Sequence, residues 1–216
     1  MNDLLDPGFM AHLEAAGQVG MTTACWAARH PGKVAVYDPD GTPHTFAKVN
    51  ANANKLARLL RARGLKAGDS LALVCSNRAE FVEALAATLR TGLRITPVNW
   101  HLTADEIAYI IRDCEAKALV ADARVAAAGP AAAECPDLVV KLAAAGQIDG
   151  FDDYQSALDA FDGSDIEDPV LGNAMMYTSG TTGRPKGVHR PVPVVTPPAM
   201  YLMRGYDSQS SVQLCA

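Results

Sequence analysis

The residues richest in chemistry stand in one string, Ser179-Gly180-Thr181-Thr182-Gly183-Arg184-Pro185-Lys186-Gly187. Its three glycines give the backbone conformations that bulkier residues resist, so successive N–H groups can turn inward as an anion-binding nest. Ser179, Thr181 and Thr182, with Thr178 just ahead of them, supply hydroxyls that rotate to meet phosphate oxygens. Lys186 adds a flexible point charge, and Arg184 a second cation. Donors, positive charge and little bulk together describe a polyphosphate site. The Walker loop needs G-x-x-x-x-G-K-[ST], and Arg-Pro-Lys-Gly after Gly183 fails it. The dinucleotide form fails too, because Gly180 and Gly183 lack the leading G-x-G. A Gly/Ser/Thr loop after a strand is most often a surface loop with no ligand. The attached Arg184-Pro185-Lys186-Gly187 and the order of elements before it set this one apart.

The elements that must carry this loop follow a rhythm. Ala174–Thr178 is a short apolar strand running straight into Ser179. Upstream, Val34–Tyr37, the turn Pro39-Asp40-Gly41 and His44–Phe46 predict a hairpin. Phe46, Val49, Ala53, Leu56, Ala57 and Leu60 recur at three and four, the period of a helix, and Gly64 is placed to end it. Leu71–Cys75 is a continuous apolar run, as a strand covered on both faces requires. Asn77 with Glu80 has capping-box spacing for a helix burying Phe81, Leu85, Ala86 and Leu89, closed by Gly92. Arg94–Val98 is a strand. Thr103 with Glu106 opens a helix with the stripe Ile107, Ile110, Ile111 and Cys114, followed by strand Ala118–Ala121. Residues 123–133 read as helical but broken at Gly129-Pro130. A strand Val139–Leu142 and a helix near Tyr154–Phe161 come next, the latter opened by Asp152 and Asp153. A short helix or coil is expected around Met10–Ala16. This alternation predicts an α/β fold with a parallel sheet and βαβ crossovers.

Tyr177–Val188, YTSGTTGRPKGV, resembles the phosphate-loop motif of the adenylate-forming (AMP-binding) superfamily: acyl-CoA synthetases, luciferases and non-ribosomal peptide synthetase adenylation domains. Gly68-Asp69, Asn77, Pro97-Val98-Asn99 and Thr103–Ala121 resemble the same family in its acyl-CoA synthetase branch, so the likeness covers most of residues 30–190. It implies the first part of that family's large N-terminal domain: a lead-in over 1–30, a βα-repeating subdomain over 31–161, an acidic connector over 162–173, strand and phosphate loop over 174–190, and a Pro-rich end over 191–216. It also implies two half-reactions. A carboxylate, expected to be a fatty acid, attacks the α-phosphorus of ATP and releases pyrophosphate; the acyl group then passes to a thiol, usually coenzyme A. Thr178, Ser179, Gly180, Thr181, Thr182, Gly183, Arg184 and Lys186 would grip the β- and γ-phosphates, with Mg²⁺ accompanying the nucleotide. The family's acyl pocket, ribose-binding aspartate and lysine-bearing C-terminal domain lie further downstream than Ala216. No catalytic residue is therefore assigned, and the 216-residue chain is expected to be truncated and inactive alone. The competing expectation is a non-catalytic α/β fragment or interaction module.

Composition narrows the partners. A net charge of −5 with scattered Lys and Arg argues against nucleic acid. Arg58, Arg61 and Arg63 stand near one helix end, where the macrodipole alone would favour them. Five cysteines without C-x-x-C spacing suggest neither zinc nor a disulfide framework. Cys75 and Cys114 read as buried hydrophobes, and a reducing cytoplasm fits. No secretory signal and no apolar stretch long enough for a bilayer are seen. His101 reads as a loop histidine. Prolines at 191, 193, 197 and 198 forbid a regular helix after the loop.

Overall fold

Apolar runs bounded by turn residues become strands here, and period-3.6 stripes become the helices that cover them. The computed structural model describes residue 3, residues 6–178 and residues 185–189. Helices α1 (Pro7–Gly17) and α2 (Thr22–Arg29) precede an antiparallel hairpin of β1 (Val34–Tyr37) and β2 (Pro43–Thr45). Helix α3 (Phe46–Ala62) starts on a Thr45 cap, whose hydroxyl accepts the Lys48 N–H. Gly64 follows it at φ 89°, the left-handed end the sequence asked for.

Then come β3 (Ser70–Val74), α4 (Ala79–Leu89), β4 (Arg94–Pro97), α5 (Ala104–Asp113), β5 (Ala116–Asp122), α6 (Ala128–Ala133), β6 (Val140–Ala144), β7 (Asp152–Asp153), α7 (Tyr154–Asp159), β8 (Asn173–Thr178) and β9 (Lys186–His189). The sheet order is β7-β6-β5-β3-β4-β8-β9, parallel throughout except for the last pair. Every residue of β3 is buried, as befits a central strand covered on both faces. Leu71 and Leu73 face a layer that includes Leu56, Leu60, Ala84, Ala87 and Leu158 from α3, α4 and α7. Ala72 and Val74 face the opposite layer, with Ile107, Ile111, Ala128 and Ala131 from α5 and α6. The fold is α/β with a mostly parallel central sheet, as the alternation implied.

Several local expectations are corrected. Asn77 and Glu80 do not form a capping box: Arg78 is the N-cap of α4, and Glu80 pairs with Arg78 Nε at 3.0 Å. The cap is tertiary instead, because Asp38 Oδ1 accepts the Ala79 N–H at 2.9 Å. The buried face of α4 is Ala79, Glu83, Ala84, Ala86, Ala87 and Thr88, whereas Phe81, Leu85 and Leu89 are only partly buried. The helix lies so close to the sheet that small residues take the deepest positions. Gly129 and Pro130 do not break a helix over 123–133. They lie in the first turn of the short α6, where proline's missing N–H is no loss. The arginines of α3 answer to more than a dipole. Arg58 donates to the carbonyls of Asp162 and Ser164, Arg61 binds Asp168, and Arg63 pairs with Asp152, so they fasten the acidic connector and β7 to the helix. Thr103 and Glu106 do form their capping box. Cys25, Cys75, Cys114 and Cys135 are buried free thiols, and burial pushes Cys75 up to about 12.

Between α3, α4 and α7 lies a carboxyl group that the sequence pattern did not single out. Glu83 is 1% exposed and accepts from Asn52 Nδ2 at 2.9 Å and from Tyr154 Oη at 3.0 Å. Burial pushes its pKa up to about 7; these two hydrogen bonds oppose the rise, nearby Glu80 adds to it and Lys48 opposes it. The folded chain thus keeps the Glu83 proton up to about pH 7, whereas the unfolded chain loses it near 4.5. The native state binds more protons in that window, so this contribution is complete below the lower value and is lost as pH rises through the upper one. Glu83→Gln should flatten the slope in urea midpoint across that window. At pH 8 it should gain stability on the order of 2 kcal/mol over the parent. Parallel pH profiles for the two proteins would remove Glu83 as the source.

Candidate functional site

In an open parallel sheet, side chains converge at the carboxyl ends of the strands. Along that edge the sheet order places the turn after β5, then those after β3 and β4, and finally the mouth of β8. The chain runs from β3 to β4 on one side, then crosses back to β5 on the other, so the topological switch lies between β3 and β5. Two ion-pair clusters fill it. Fully buried Asp122 accepts from the Ser76 hydroxyl at 2.6 Å and from Arg124 Nη2 at 2.7 Å. Burial opposes its ionised form, but the bonds from Arg124 and Ser76 outweigh it and hold Asp122 at about 2. Beside it, Arg78 bonds Asp38 at 3.1 Å and Glu80 at 3.0 Å. These charges satisfy one another.

The loop singled out by sequence sits at the other end of the edge. Strand β8 pairs with β4 only through Arg94↔Asn173 and Ile95↔Ala174. Beyond Ala174 it runs on as a two-stranded ribbon with β9, in the register Met175↔His189, Met176↔Val188, Tyr177↔Gly187 and Thr178↔Lys186. Thr178 and Lys186 are therefore cross-strand partners at the ribbon's tip, both exposed. Lys186 belongs to a strand and not to the loop, and its neighbours Gly187 to His189 continue as β9, the antiparallel return of β8. Ser179, Gly180, Thr181, Thr182, Gly183 and Arg184 lie outside the described residues, as do the prolines at 191, 193, 197 and 198. Thr178 immediately precedes that segment and Lys186 follows it one residue on, after Pro185, so a hydroxyl and an ammonium flank it.

The ribbon's faces differ. Met175 and Tyr177 turn toward the α5 layer, whereas Met176 and Val188 are 52% and 47% exposed on the other side. The Tyr177 hydroxyl donates to an Asp113 carboxylate oxygen at the end of α5, and Tyr109 Oη lies 3.4 Å from the Pro185 carbonyl. Burial, with Asp113 beside it, raises the Tyr177 pKa and keeps the phenol protonated. Sequence reasoning passed over Tyr109 and Asp113. The available signal was an acidic residue in the last turn of a helix, where the macrodipole disfavours it. His101 is an exposed loop residue whose N–H donates to Asn99 Oδ1 at 3.0 Å and whose ring lies 3.5 Å from that of Trp100.

The family model described as AMP-binding enzyme matches residues 24–198. The chain belongs to the AMP-binding enzyme family. This AMP-binding chain is 32% identical over 171 residues to the fatty acid–[acyl-carrier-protein] ligase ScoC of Streptomyces coeruleorubidus, covering 77% of itself and 31% of that protein. It is 36% identical over 169 residues to the phosphinothricin tripeptide synthetase PhsB of Streptomyces viridochromogenes, covering 77% of itself and 14% of that protein. Among solved structures, the fatty acyl CoA synthetase of Mycobacterium tuberculosis superposes with a TM-score of 0.67 at 25% identity, over 81% of this chain and 34% of that one. The chain thus spans about a third of the length of ScoC and of the Mycobacterium tuberculosis synthetase. Among the described residues, no helix is long and apolar enough to cross a membrane, and no group of three His, Cys, Asp or Glu is placed to hold a metal ion.

The Asp38 cap is the contact that ties the β1–β2 hairpin to this edge of the AMP-binding fold. Asp38→Ala leaves the first N–H of α4 without its acceptor and Arg78 with one carboxylate fewer. It should lower stability by about 1–2 kcal/mol, read as a lower urea midpoint at unchanged m. An unshifted midpoint would mean that water replaces the cap at no cost.

Proposed function

We propose that this chain is the polyphosphate-holding portion of an ATP-dependent, adenylate-forming carboxylate–thiol ligase, with coenzyme A as the thiol and a fatty acid as the carboxylate. The observation that carries the reading is the β8–β9 ribbon. It sets the Thr178 hydroxyl and the Lys186 ammonium on opposite strands flanking Ser179-Gly180-Thr181-Thr182-Gly183-Arg184, within a family match that spans residues 24–198. In this reading Thr178, Ser179, Gly180, Thr181, Thr182, Gly183, Arg184 and Lys186 hold the β- and γ-phosphates. The division into 1–30, 31–161, 162–173, 174–190 and 191–216 follows the same reading. Magnesium would arrive with the nucleotide.

The likeness to ScoC and to the Mycobacterium tuberculosis synthetase supports the fatty-acid reading, whereas the likeness to PhsB supports a peptide synthetase's amino acid. The chemistry asked of these residues is positioning and charge neutralisation. An ammonium beside the β- and γ-oxygens offsets their charge while a carboxylate attacks the α-phosphorus, and the departing pyrophosphate stays in the same grip until release.

Two measurements test this. Titration of the purified protein with magnesium ATP reads the grip alone, without need of an acyl pocket. Lys186→Ala removes a charge-assisted contact of about 1.5–3 kcal/mol, so affinity should fall roughly ten- to a hundredfold. Pyrophosphate exchange with a panel of fatty, aryl and amino acids, run on a complete ligase that carries residues 1–216 in place, reads the carboxylate class. Unaltered nucleotide affinity in Lys186→Ala would overturn the assignment of the grip, and no binding by the parent would favour a non-catalytic module. Exchange driven by amino acids alone would replace the fatty-acid reading.

A further inference from the structure

A two-stranded ribbon is marginally stable by itself, yet the stems of the loop must stand at a fixed place if the loop is to meet a polyphosphate. Strand β8 leaves its neighbour β4 at Ala174, four residues before the ribbon's tip at Thr178. From there, sheet hydrogen bonds join β8 to β9 alone and say nothing about where the pair points. What relates the ribbon to the domain is the side-chain face turned toward α5, carried by Met175 and Tyr177.

Three details make that contact specific. The Tyr177 hydroxyl is hydrogen-bonded to the Asp113 carboxylate. Asp113 is the last residue of α5, where the partial negative charge of the helix end disfavours a carboxylate, so its place there calls for a local partner. Gly187 lies directly across the ribbon from Tyr177. Its φ is outside the left-handed region, so conformational freedom does not explain it. Space does: a Cβ there would collide with Met175 Cε and stand 3.0 Å from Tyr177 Cζ and 3.1 Å from Tyr177 Oη. The missing side chain is the room through which the Tyr177 ring reaches α5.

We infer that Tyr177, Asp113 and Gly187 form a positioning lock that registers the β8–β9 ribbon on helix α5 and thereby sets how well Thr178 and Lys186 at its tip meet a pyrophosphate group. None of the three touches the phosphate; they act through the stems. The inference rests on the reading of that segment as the phosphate grip. It divides the string in two: the part up to Lys186 serves the ligand, whereas Gly187 serves the fit of Tyr177.

The test uses the purified protein with Tyr177→Phe, Asp113→Ala and their double variant, with Lys186→Ala alongside. Hydrogen exchange of the amides at 175–178 and 186–189 reads the lock without any ligand, and titration with magnesium pyrophosphate reads its consequence. Each single variant should speed exchange in the ribbon selectively, leaving the amides of β3 unchanged. Each should weaken pyrophosphate binding by about five- to tenfold, the scale of one hydrogen bond, and the double variant should be no worse than either single one. Removing a carboxylate from a helix's negative end would otherwise be neutral or stabilising, so a loosened ribbon in Asp113→Ala is a result that helix propensity alone does not produce. Gly187→Ala should behave like Tyr177→Phe or worse. Unchanged ribbon exchange in both single variants, or losses that add in the double, would overturn the lock. If Lys186→Ala weakens pyrophosphate binding and the lock variants do not, the lock alone is wrong. If Lys186→Ala leaves binding unchanged, the phosphate-grip reading fails and the lock loses the consequence claimed for it.

Discussion

Arg90, the C-cap of α4, is fully buried, and its described hydrogen bonds run to neutral oxygens: those of Asn54, Asn50 and Thr23, and the carbonyl of Ala86. A buried cation must be compensated or it drives the chain apart. Here the compensation is relayed. Asn50 and Asn54 each turn an oxygen to the guanidinium and an amide N–H to Asp165, at 2.8 and 2.9 Å. Burial lowers the Arg90 pKa to about 10, and Asp165 works against that fall. The relay joins α2, α3, α4 and the acidic connector in one polar joint. Next to it the Gly172 N–H donates to the Leu89 carbonyl and the Asn173 N–H to that of Leu93, so the joint also delivers β8 into the sheet. The connector, rich in charge and poor in apolar surface, holds its course because α3 offers Arg58 and Arg61 outside while Arg90 holds it from within.

From that joint the polar architecture divides along the carboxyl edge of the sheet. At the switch between β3 and β5, where doubly wound sheets commonly bind ligands, carboxylates and guanidiniums already occupy one another. Opening those pairs would leave buried charges uncompensated, so the edge there serves as a brace. The far end, at β8 and β9, carries its polar groups outward, with Thr178 and Lys186 exposed and opposite. A ligand can be met there without first breaking a buried pair.

Mobility and rigidity are shared out accordingly. The central strands β3 and β5 are held on both faces by two apolar layers, whereas the outer ribbon touches the domain through one face. If the ribbon's tip holds a polyphosphate as proposed, standing at the less constrained end suits it, provided something sets its resting position. The contact of Tyr177 with the end of α5 is suited to that task because it is confined to one helix end, polar and at the surface.

Much of this could be read from the chain itself. The helix stripes of α3 and α5, the Thr103–Glu106 capping box, the left-handed glycine after α3 and the buried run of β3 all stand where local periodicity put them. Such signals depend on residues within a turn or two of one another, and they fix element type and the α/β class. The composition of the string Ser179–Lys186 is what suggests the phosphate grip proposed for it. Partnerships across long separations left no such trace. Asn77 and Glu80 have the spacing of a cap, yet the cap came from Asp38, 41 residues away, because the β1–β2 hairpin packs against the start of α4. Glu83 sits among alanines with nothing in its spacing to say that Asn52 and Tyr154 would bury it. The partner of Tyr177 is 64 residues distant, and the space a side chain would need at Gly187 is taken by Met175 and Tyr177 on the facing strand. Sequence by itself determined most of the elements and the α/β class. Which side chains cap, bury or brace one another was decided only when non-local packing set their distances, since a hydrogen bond or a collision depends on position in space and not on spacing along the chain.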